Sequence, residues 1–358
     1  MGLQQFGSTS ARIGKFSGAI LKHAVMREVL TRQGRQVSRQ MPGNSSDTYV
    51  SRRFTPYGAL ATDYNTQNRF FQNGTGDRGN AMVIAHQTGE GITSGPDSMT
   101  AVDVTTVIQQ YSCLYGFSDK MYDLHEDDFP KEMTKQIGER VSLVNEMIVY
   151  GVLRGCLNAF FGGTGTTIAT VNGAPTLGMI RRMTKTLKAN HAMPVTSMLS
   201  SDKNYGSEAV EAGFFVYCHT NLEPDIRDMP GFTPTVKYAS GKPVPNEIGK
   251  VENFRFVTSP DLPELQDAGA AIGTTGLYST SGSLIDVYPI IVCAEDAWSQ
   301  IVVRGKDALD STYLPPSKKD KSDPHGQRGY AGTKWYKAVA LENHGWMCVG
   351  YVGSKIVS

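Results

Sequence analysis

The sequence predicts an α+β fold, in which one long helix is combined with strands that do not alternate regularly with helices. Helical periodicity is strongest between Phe129 and Cys156, where apolar residues recur every three or four positions. Segments with the apolar alternation of strands lie both before and after this helix. They lack the repeated strand–helix–strand order of a doubly wound sheet, which favours the α+β class.

The long helix, called the spine helix below, has an apolar stripe formed by Met133, Ile137, Val141, Val144, Ile148 and Val152. Asp127 and Asp128 precede it, where carboxylates cap free amides, and Pro130 occupies the tolerated first turn. At 1.5 Å per residue such a helix is roughly 40 Å long. We interpret it as the spine of a flat, extended subunit. An ordinary core helix is the alternative.

Composition limits the classes of function. The 358 residues are 40% hydrophobic and 19% charged, as in folded proteins, and a net charge of +1 does not favour a nucleic-acid binder. The five cysteines are widely spaced without a C-x-x-C pair, so we expect reduced, mostly buried thiols and folding in the cytosol. No apolar stretch approaches 18 residues, and no signal-peptide pattern is present, so no membrane span is predicted.

Residues 1–45 have the character of a basic N-terminal arm. Residues 1–53 contain nine Lys or Arg and only two acidic residues. Apolar spacing from Ile13 to Leu30 predicts a short amphipathic helix that ends at Gly34. Such an arm can contact phosphates or the acidic face of a neighbour, with a solvated tail as the alternative.

Two predicted strands, Thr48–Phe54 and Thr105–Ser118, flank a long segment rich in Gly, Asn, Thr and Asp. We interpret the pair as a two-stranded arm, which needs a neighbouring chain because an isolated hairpin is marginal in water. Arg52 and Arg53 point to opposite faces of their strand. Each can form a bidentate pair with a carboxylate across an interface. A solvent-facing edge strand blunted by charge is the alternative.

The second half of the chain follows a Gly/Thr-rich linker at 162–167. A helix is predicted from the face formed by Leu177, Ile180, Met183 and Leu187. Strands are predicted at 214–219, 254–258 and 288–294. Two last apolar segments, 335–341 and 346–352, flank Asn343-His344-Gly345, which predicts a hairpin returning to the sheet beside the spine helix.

No motif indicates catalysis. The segment 162–167 lacks the Lys-Ser/Thr of a phosphate loop and follows a helix rather than a strand. His125 and the three acids after it are more typical of a helix cap than of a metal site, and Cys218-His219 is more typical of a strand than of a thiol site. We therefore predict no catalytic residue, no cofactor and no metal.

The order of these parts, together with four motifs, is similar to that of the major capsid proteins of tailed bacteriophages with the Hong Kong 97-type fold. The branch that it resembles is the Enquatrovirus-type podophages. The motifs are Ser51–Phe54, Asn190–Pro194, Asn246–Gly249 shortly before Phe254–Val257, and Asp323–Gly329 with Gly332 and Lys334. The resemblance covers about residues 41–357. Two features depart from the family: Thr333 stands where a Trp is usual, and the loop between Tyr57 and Thr100 is longer than is expected for the family.

The resemblance implies an N-terminal arm (1–45), an extended loop with flanking strands (46–122) and a peripheral domain with the spine helix (123–175). An axial domain (176–286) and a return segment of the peripheral domain (287–358) follow. Copies of the chain would assemble as hexamers and pentamers into an icosahedral head enclosing double-stranded DNA. The residues expected in intersubunit or structural contacts are Arg52, Arg53, Glu247, Asp323, Gln327, Arg328 and Lys334.

The implied partners are other copies of the chain, a separate scaffolding protein, a portal, a cement or decoration protein, and packaged DNA bound without sequence specificity. The implied location is the virion, assembled in the cytoplasm of the bacterial host. No lysine occurs between Lys22 and Lys120, so the long loop cannot supply a lysine for an isopeptide crosslink. We expect a noncovalent shell. The alternative functions are a nucleic-acid-binding structural protein that uses the basic arm, and an enzyme, which no motif supports.

Overall fold

The computed structural model describes residues 29–33, 38–41, 46–54, 83, 86–93, 99, 101–125, 129–199, 207–238, 243–273, 275–303, 310–317, 319 and 322–355. The predicted amphipathic helix of the N-terminal arm lies almost entirely outside these residues, as does most of the long loop between the two arm strands.

Five α-helices occur in the described part of the chain. They are α1 (Leu30–Gln33), α2 (Asp119–Leu124), α3 (Phe129–Leu153), α4 (Leu177–Ala189) and α5 (Glu223–Arg227). The spine helix is α3, and it ends three residues before the predicted boundary. The helix predicted from the Leu177–Leu187 spacing is confirmed as α4, with Thr176 as its N-cap.

The strands, in chain order, are β1 (Ser38–Met41), β2 (Thr48–Phe54), β3 (Ala101–Val107), β4 (Gln109–Ser118), β5 (Ala159–Phe161), β6 (Val195–Leu199), β7 (Ser207–His219), β8 (Phe232–Pro234), β9 (Glu247–Val251), β10 (Phe254–Ser259), β11 (Tyr288–Cys293), β12 (Trp298–Val303), β13 (Asp310–Leu314), β14 (Arg328–Leu341) and β15 (Met347–Val352). The α+β class predicted from the sequence is therefore confirmed.

These strands form three sheets. The larger one has eight strands in the order β5-β15-β11-β7-β10-β9-β8, with β6 beside β7. The smaller one has five strands in the order β1-β12-β14-β13, with β4 also paired to β14. Strands β2 and β3 form a separate two-stranded sheet. The larger sheet combines strands from the predicted segments 123–175, 176–286 and 287–358.

Two predictions about strands were wrong in detail. The segment predicted as one strand, Thr105–Ser118, belongs to two: β3 pairs with β2 in the arm, whereas β4 pairs with β14. The predicted hairpin of 335–352 does not form, because β14 lies in the smaller sheet and β15 in the larger one. Hydrophobic alternation identifies a strand but does not identify the strand it pairs with.

The spine helix packs on both sheets, and its buried face changes along its length. Its first half buries Met133, Ile137 and Val141, as predicted, and the last two pack against Trp335 and Cys113 of the smaller sheet. In the second half the fully buried apolar positions are Val149, Tyr150 and Leu153, rather than the predicted Ile148 and Val152, which are partly buried. The reason is that this half contacts a second core, under the larger sheet.

The larger sheet has a core on each face. Residues such as Phe215, Tyr217 and Ile291 point to the face that packs on the spine helix. Phe214, Val216 and Cys218 alternate with them and pack under α4 and α5. All five cysteines are free and buried, as predicted.

Candidate intersubunit surface and buried anchors

The two-stranded arm presents one face to the body and the other to solvent. The antiparallel register of β2 and β3 places Arg52 opposite Asp103 and Phe54 opposite Ala101. The solvent-facing row of β2 is Val50, Arg52 and Phe54, of which Phe54 is 59% exposed and Val50 51% exposed. Because the pattern of β3 also alternates, one whole face of the arm is exposed, with apolar side chains on it.

Arg52 forms the predicted bidentate pair, but both partners belong to the same arm. Its Nε donates to Asp103 Oδ1 at 2.8 Å and its Nη2 donates to Asp103 Oδ2 at 3.0 Å. This hydrogen bonding lowers the pKa of Asp103 and raises that of Arg52. The pair is fully exposed, so its main effect is to neutralise the centre of the apolar face rather than to add stability.

Arg53 points to the other face of β2 and is half-buried. Burial lowers the pKa of His344, and the charge of Arg53 lowers it further. The Nδ1 atom of His344 accepts a hydrogen bond from the Leu157 backbone N–H at 3.4 Å, which also requires a neutral ring at that nitrogen.

Glu342, directly after β14, is a buried carboxylate that contacts side chains of the three strands β1, β2 and β12. Its Oε1 accepts from Ser299 Oγ at 2.6 Å and lies 3.0 Å from Arg39 Nε. Its Oε2 accepts from Ser51 Oγ at 2.9 Å. Ser51 lies on the inward face of the arm, so Glu342 attaches the base of the arm to strands β1 and β12 of the smaller sheet.

Glu146 is a second buried carboxylate, located on the spine helix. Its Oε1 accepts from the N–H groups of Val29 at 3.1 Å and Leu30 at 2.6 Å, and its Oε2 accepts from Thr31 N–H at 3.1 Å. Burial raises the pKa of Glu146, and the three N–H groups oppose that shift. The carboxylate caps the start of α1 from a helix more than 100 residues away in sequence.

Glu247 lies inside the larger sheet and binds Arg255 of the neighbouring strand, with Nη2–Oε2 at 2.7 Å and Nε–Oε1 at 2.8 Å. It also accepts from Tyr238 Oη at 2.8 Å and from Val244 N–H at 2.8 Å. The structure therefore gives Glu247 a structural contact within the chain.

The segment from Asp323 to Gln327 is a turn that leads into β14 and contacts the start of α2. Asp323 Oδ2 accepts from the Arg328 backbone N–H at 2.8 Å, and the Gln327 carbonyl accepts from Asp119 N–H, at the start of α2, at 2.9 Å. A Cβ on Gly329 would overlap the ring of Phe117, so only glycine fits there. This motif, one of the four behind the resemblance, thus positions the start of β14 against β4.

Lys334 and Arg328 lie on β14. Lys334 Nζ is 3.1 Å from Asp310 Oδ2 on β13, and both side chains are half-exposed. Arg328 is exposed at the first residue of the strand, and among the described residues no carboxylate pairs with it.

Sequence reasoning missed Glu146 and Glu342 and did not single out Arg255. Glu146 had one usable signal, since it lies on the same helical face as Val149, Tyr150 and Leu153, where a carboxylate is unexpected. For Glu342 no local signal exists, because all its partners come from distant segments.

Within the described ranges, no group of three or more His, Cys, Asp or Glu side chains is arranged to hold a metal ion. In the Gly/Thr-rich linker, the N–H groups of Thr164, Thr166 and Thr167 donate to the side chains of Asn172 and Thr170 at 3.0 Å. None of the helices in the described part of the chain has the length and apolar character to cross a bilayer.

No protein-family model matches the chain. A curated relative from Pseudomonas phage KPP21, named major capsid protein, is 23% identical over 247 residues, which cover 65% of this chain. The match spans 61% of the length of that relative.

Solved phage capsids are similar over nearly the whole chain. The capsid of Ralstonia phage GP4 aligns with a TM-score of 0.63 and 10% identity, covering 100% of this chain and 99% of that one. The capsid of cyanophage P-SCSP1u aligns with a TM-score of 0.56 and 11% identity, covering 96% and 93%. The head of Helicobacter pylori bacteriophage KHP40 aligns with a TM-score of 0.55 and 9% identity, covering 99% and 98%. The chain therefore has the α+β fold of phage capsid proteins, the Hong Kong 97-type fold.

Proposed function

We propose that this chain is the major capsid protein of a tailed phage, whose copies assemble as hexamers and pentamers into an icosahedral head around double-stranded DNA. The proposal has two supports from the comparisons: the name of the Pseudomonas phage KPP21 relative and the fold shared with capsids. The Enquatrovirus-type podophage branch belongs to the same proposal, on the motifs given above.

The observation that carries the proposal is the exposed face of the arm. Val50 and Phe54 expose apolar surface on a two-stranded sheet whose central charges, Arg52 and Asp103, neutralise each other. Contact with a flat protein surface would remove the apolar area of this face from water, which is favourable. A neighbouring copy supplies that surface many times over in a closed shell, so weak contacts add up.

Several finer assignments accompany this function. The subunit is divided into an N-terminal arm (1–45), an extended loop with flanking strands (46–122), peripheral segments (123–175 and 287–358) and an axial domain (176–286). Arg328, which has no carboxylate partner among the described residues, is assigned to a contact with a neighbouring subunit. The other proposed partners are a separate scaffolding protein, a portal, a cement or decoration protein, and packaged DNA. The location is the virion, assembled in the cytoplasm of the bacterial host, and no catalytic role is assigned.

Electron microscopy and sedimentation of the purified full chain test the proposal. We expect closed shells, or hexameric and pentameric units, at high protein concentration. A chain that stays monomeric and binds DNA with strong salt dependence would instead support the alternative, a nucleic-acid-binding protein that uses its basic arm.

A further inference from the structure

Two short pieces of the N-terminal region, Val29–Gln33 and Ser38–Met41, lie across the body and are called the strap below. The first piece is held on the spine helix. The side chains of Val29 and Leu30 are buried in the same core as Val149 and Leu153, and Glu146 accepts three backbone N–H groups. The strap is therefore attached here by two apolar side chains and by its backbone.

The second piece of the strap is held on the smaller sheet. Strand β1 pairs in parallel with β12, with Ser38 opposite Gln300. The Nε2 of Gln300 also donates to the Thr31 carbonyl at 3.3 Å, so one residue contacts the first piece through its side chain and the second piece through strand pairing. Arg39 lies 3.0 Å from Glu342, the carboxylate that also accepts from Ser51 at the base of the arm.

A continuous series of contacts therefore runs from the spine helix to the arm. Glu146 holds the first piece, Gln300 joins the two pieces, and Glu342 joins the second piece to β2. Among the described residues Glu146 has no Lys or Arg partner, so the three N–H groups are the donors that compensate its burial. If the strap detaches, those donors leave together.

We propose that the strap is a conformational device that couples the spine helix to the arm, with Glu146 and Glu342 as its two anchors. Detachment of the strap from Glu146 loosens the base of the arm, whereas the larger sheet and α4 stay folded. All the contacts that produce this coupling lie within one subunit. A role of the coupling during assembly rests on the proposed function.

Hydrogen exchange of the unassembled full chain tests this coupling. In Glu146→Ala the three buried N–H groups lose their acceptor, and we expect about 10-fold faster exchange or more at residues 29–33. Faster exchange is also expected in β1 and in β2, which do not contact Glu146. Exchange in α4 is expected to match the wild type. Glu139→Ala changes a half-buried residue of the same helix and is the matched control.

Glu146→Gln preserves the side-chain volume and one acceptor, so it is the variant to measure if the alanine variant does not fold. It should produce a smaller increase in the same three regions. Unchanged exchange in the strap would overturn the proposal. Faster exchange at 29–33 combined with wild-type exchange in β2 would also overturn it. Faster exchange throughout the chain in both variants would overturn it too. Since no shell is needed, failure to assemble contradicts only the proposed function.

Discussion

Glu247 and Arg255 form a bidentate ion pair that solvent does not reach, with only 0% and 3% of the respective side chains exposed. The guanidinium also lies 5.2 Å from the centre of the Phe215 ring, and the carboxylate accepts two further hydrogen bonds from Tyr238 and Val244. A buried pair of this kind is costly to break from one side, because the remaining buried charge loses its opposite charge.

Arg255→Met should therefore lower the free energy of unfolding by about 3–5 kcal/mol. Denaturant titration of the unassembled chain measures this change. The matched control is Arg181→Met, which removes an exposed pair with Glu252 and should change the same quantity by less than about 1 kcal/mol. Equal losses in the two variants would contradict the argument from burial.

Gly329→Ala should destabilise the chain by about 1–3 kcal/mol, because the new methyl group overlaps the ring of Phe117 on the paired strand β4. Gly138→Ala is the control of opposite sign. It lies on the exposed side of the spine helix with open space around it, so alanine should stabilise by up to about 1 kcal/mol. Thermal unfolding distinguishes the two. A neutral effect at Gly329 would show that Phe117 moves aside freely.

His344 should make stability depend on pH. Burial, and secondly the charge of Arg53, lower the pKa of His344 in the folded chain. The unfolded chain then binds a proton more readily, so this contribution to stability is present above about pH 6.5, the ordinary His pKa, and is lost as pH falls through the folded pKa. His344→Asn should reduce the loss of stability between pH 7.5 and 5.5.

His219 contributes in the same direction, since burial lowers its pKa too. The pH dependence of His344→Asn should therefore be weaker than that of the wild type but not absent. If denaturation midpoints of the variant and the wild type fall in parallel over this range, the assignment to His344 is wrong.

Phe54→Asp should prevent assembly without unfolding the subunit. Phe54 is 59% exposed, so the free energy of unfolding should change by no more than about 0.5 kcal/mol. The yield of particles, measured by sedimentation, should fall at least about 10-fold, because a charge is placed in an apolar contact. Phe54→Leu keeps the apolar surface and should assemble. Normal particles from Phe54→Asp would exclude this face from the contacts between subunits.

Assembled particles should dissociate into single chains when boiled in detergent, because no lysine lies between Lys22 and Lys120 to form a crosslink from the long loop. Denaturing gels of purified particles check this. Ladders of dimers and larger multiples that survive boiling would show that a covalent bond joins the subunits through another segment.

Local periodicity predicted the elements whose residues contact one continuous surface. The spacing of Leu177, Ile180, Met183 and Leu187 located α4, and the strand predicted at Thr48–Phe54 coincides with β2. The motif at 323–329 is one of the four behind the resemblance, but the reason for its last glycine lies in the tertiary structure, where Gly329 meets Phe117.

By itself, the sequence determined the α+β class, the spine helix, strand β2 of the arm and the buried cysteines, because these follow from the type and spacing of residues along the chain. Only the tertiary structure decided that β14 and β15 lie in different sheets and that Glu146 and Glu342 hold the strap. The contacts of Glu146 and Glu342 with the strap join residues far apart in the chain, such as Leu30 and Glu146, and no local pattern encodes the partner.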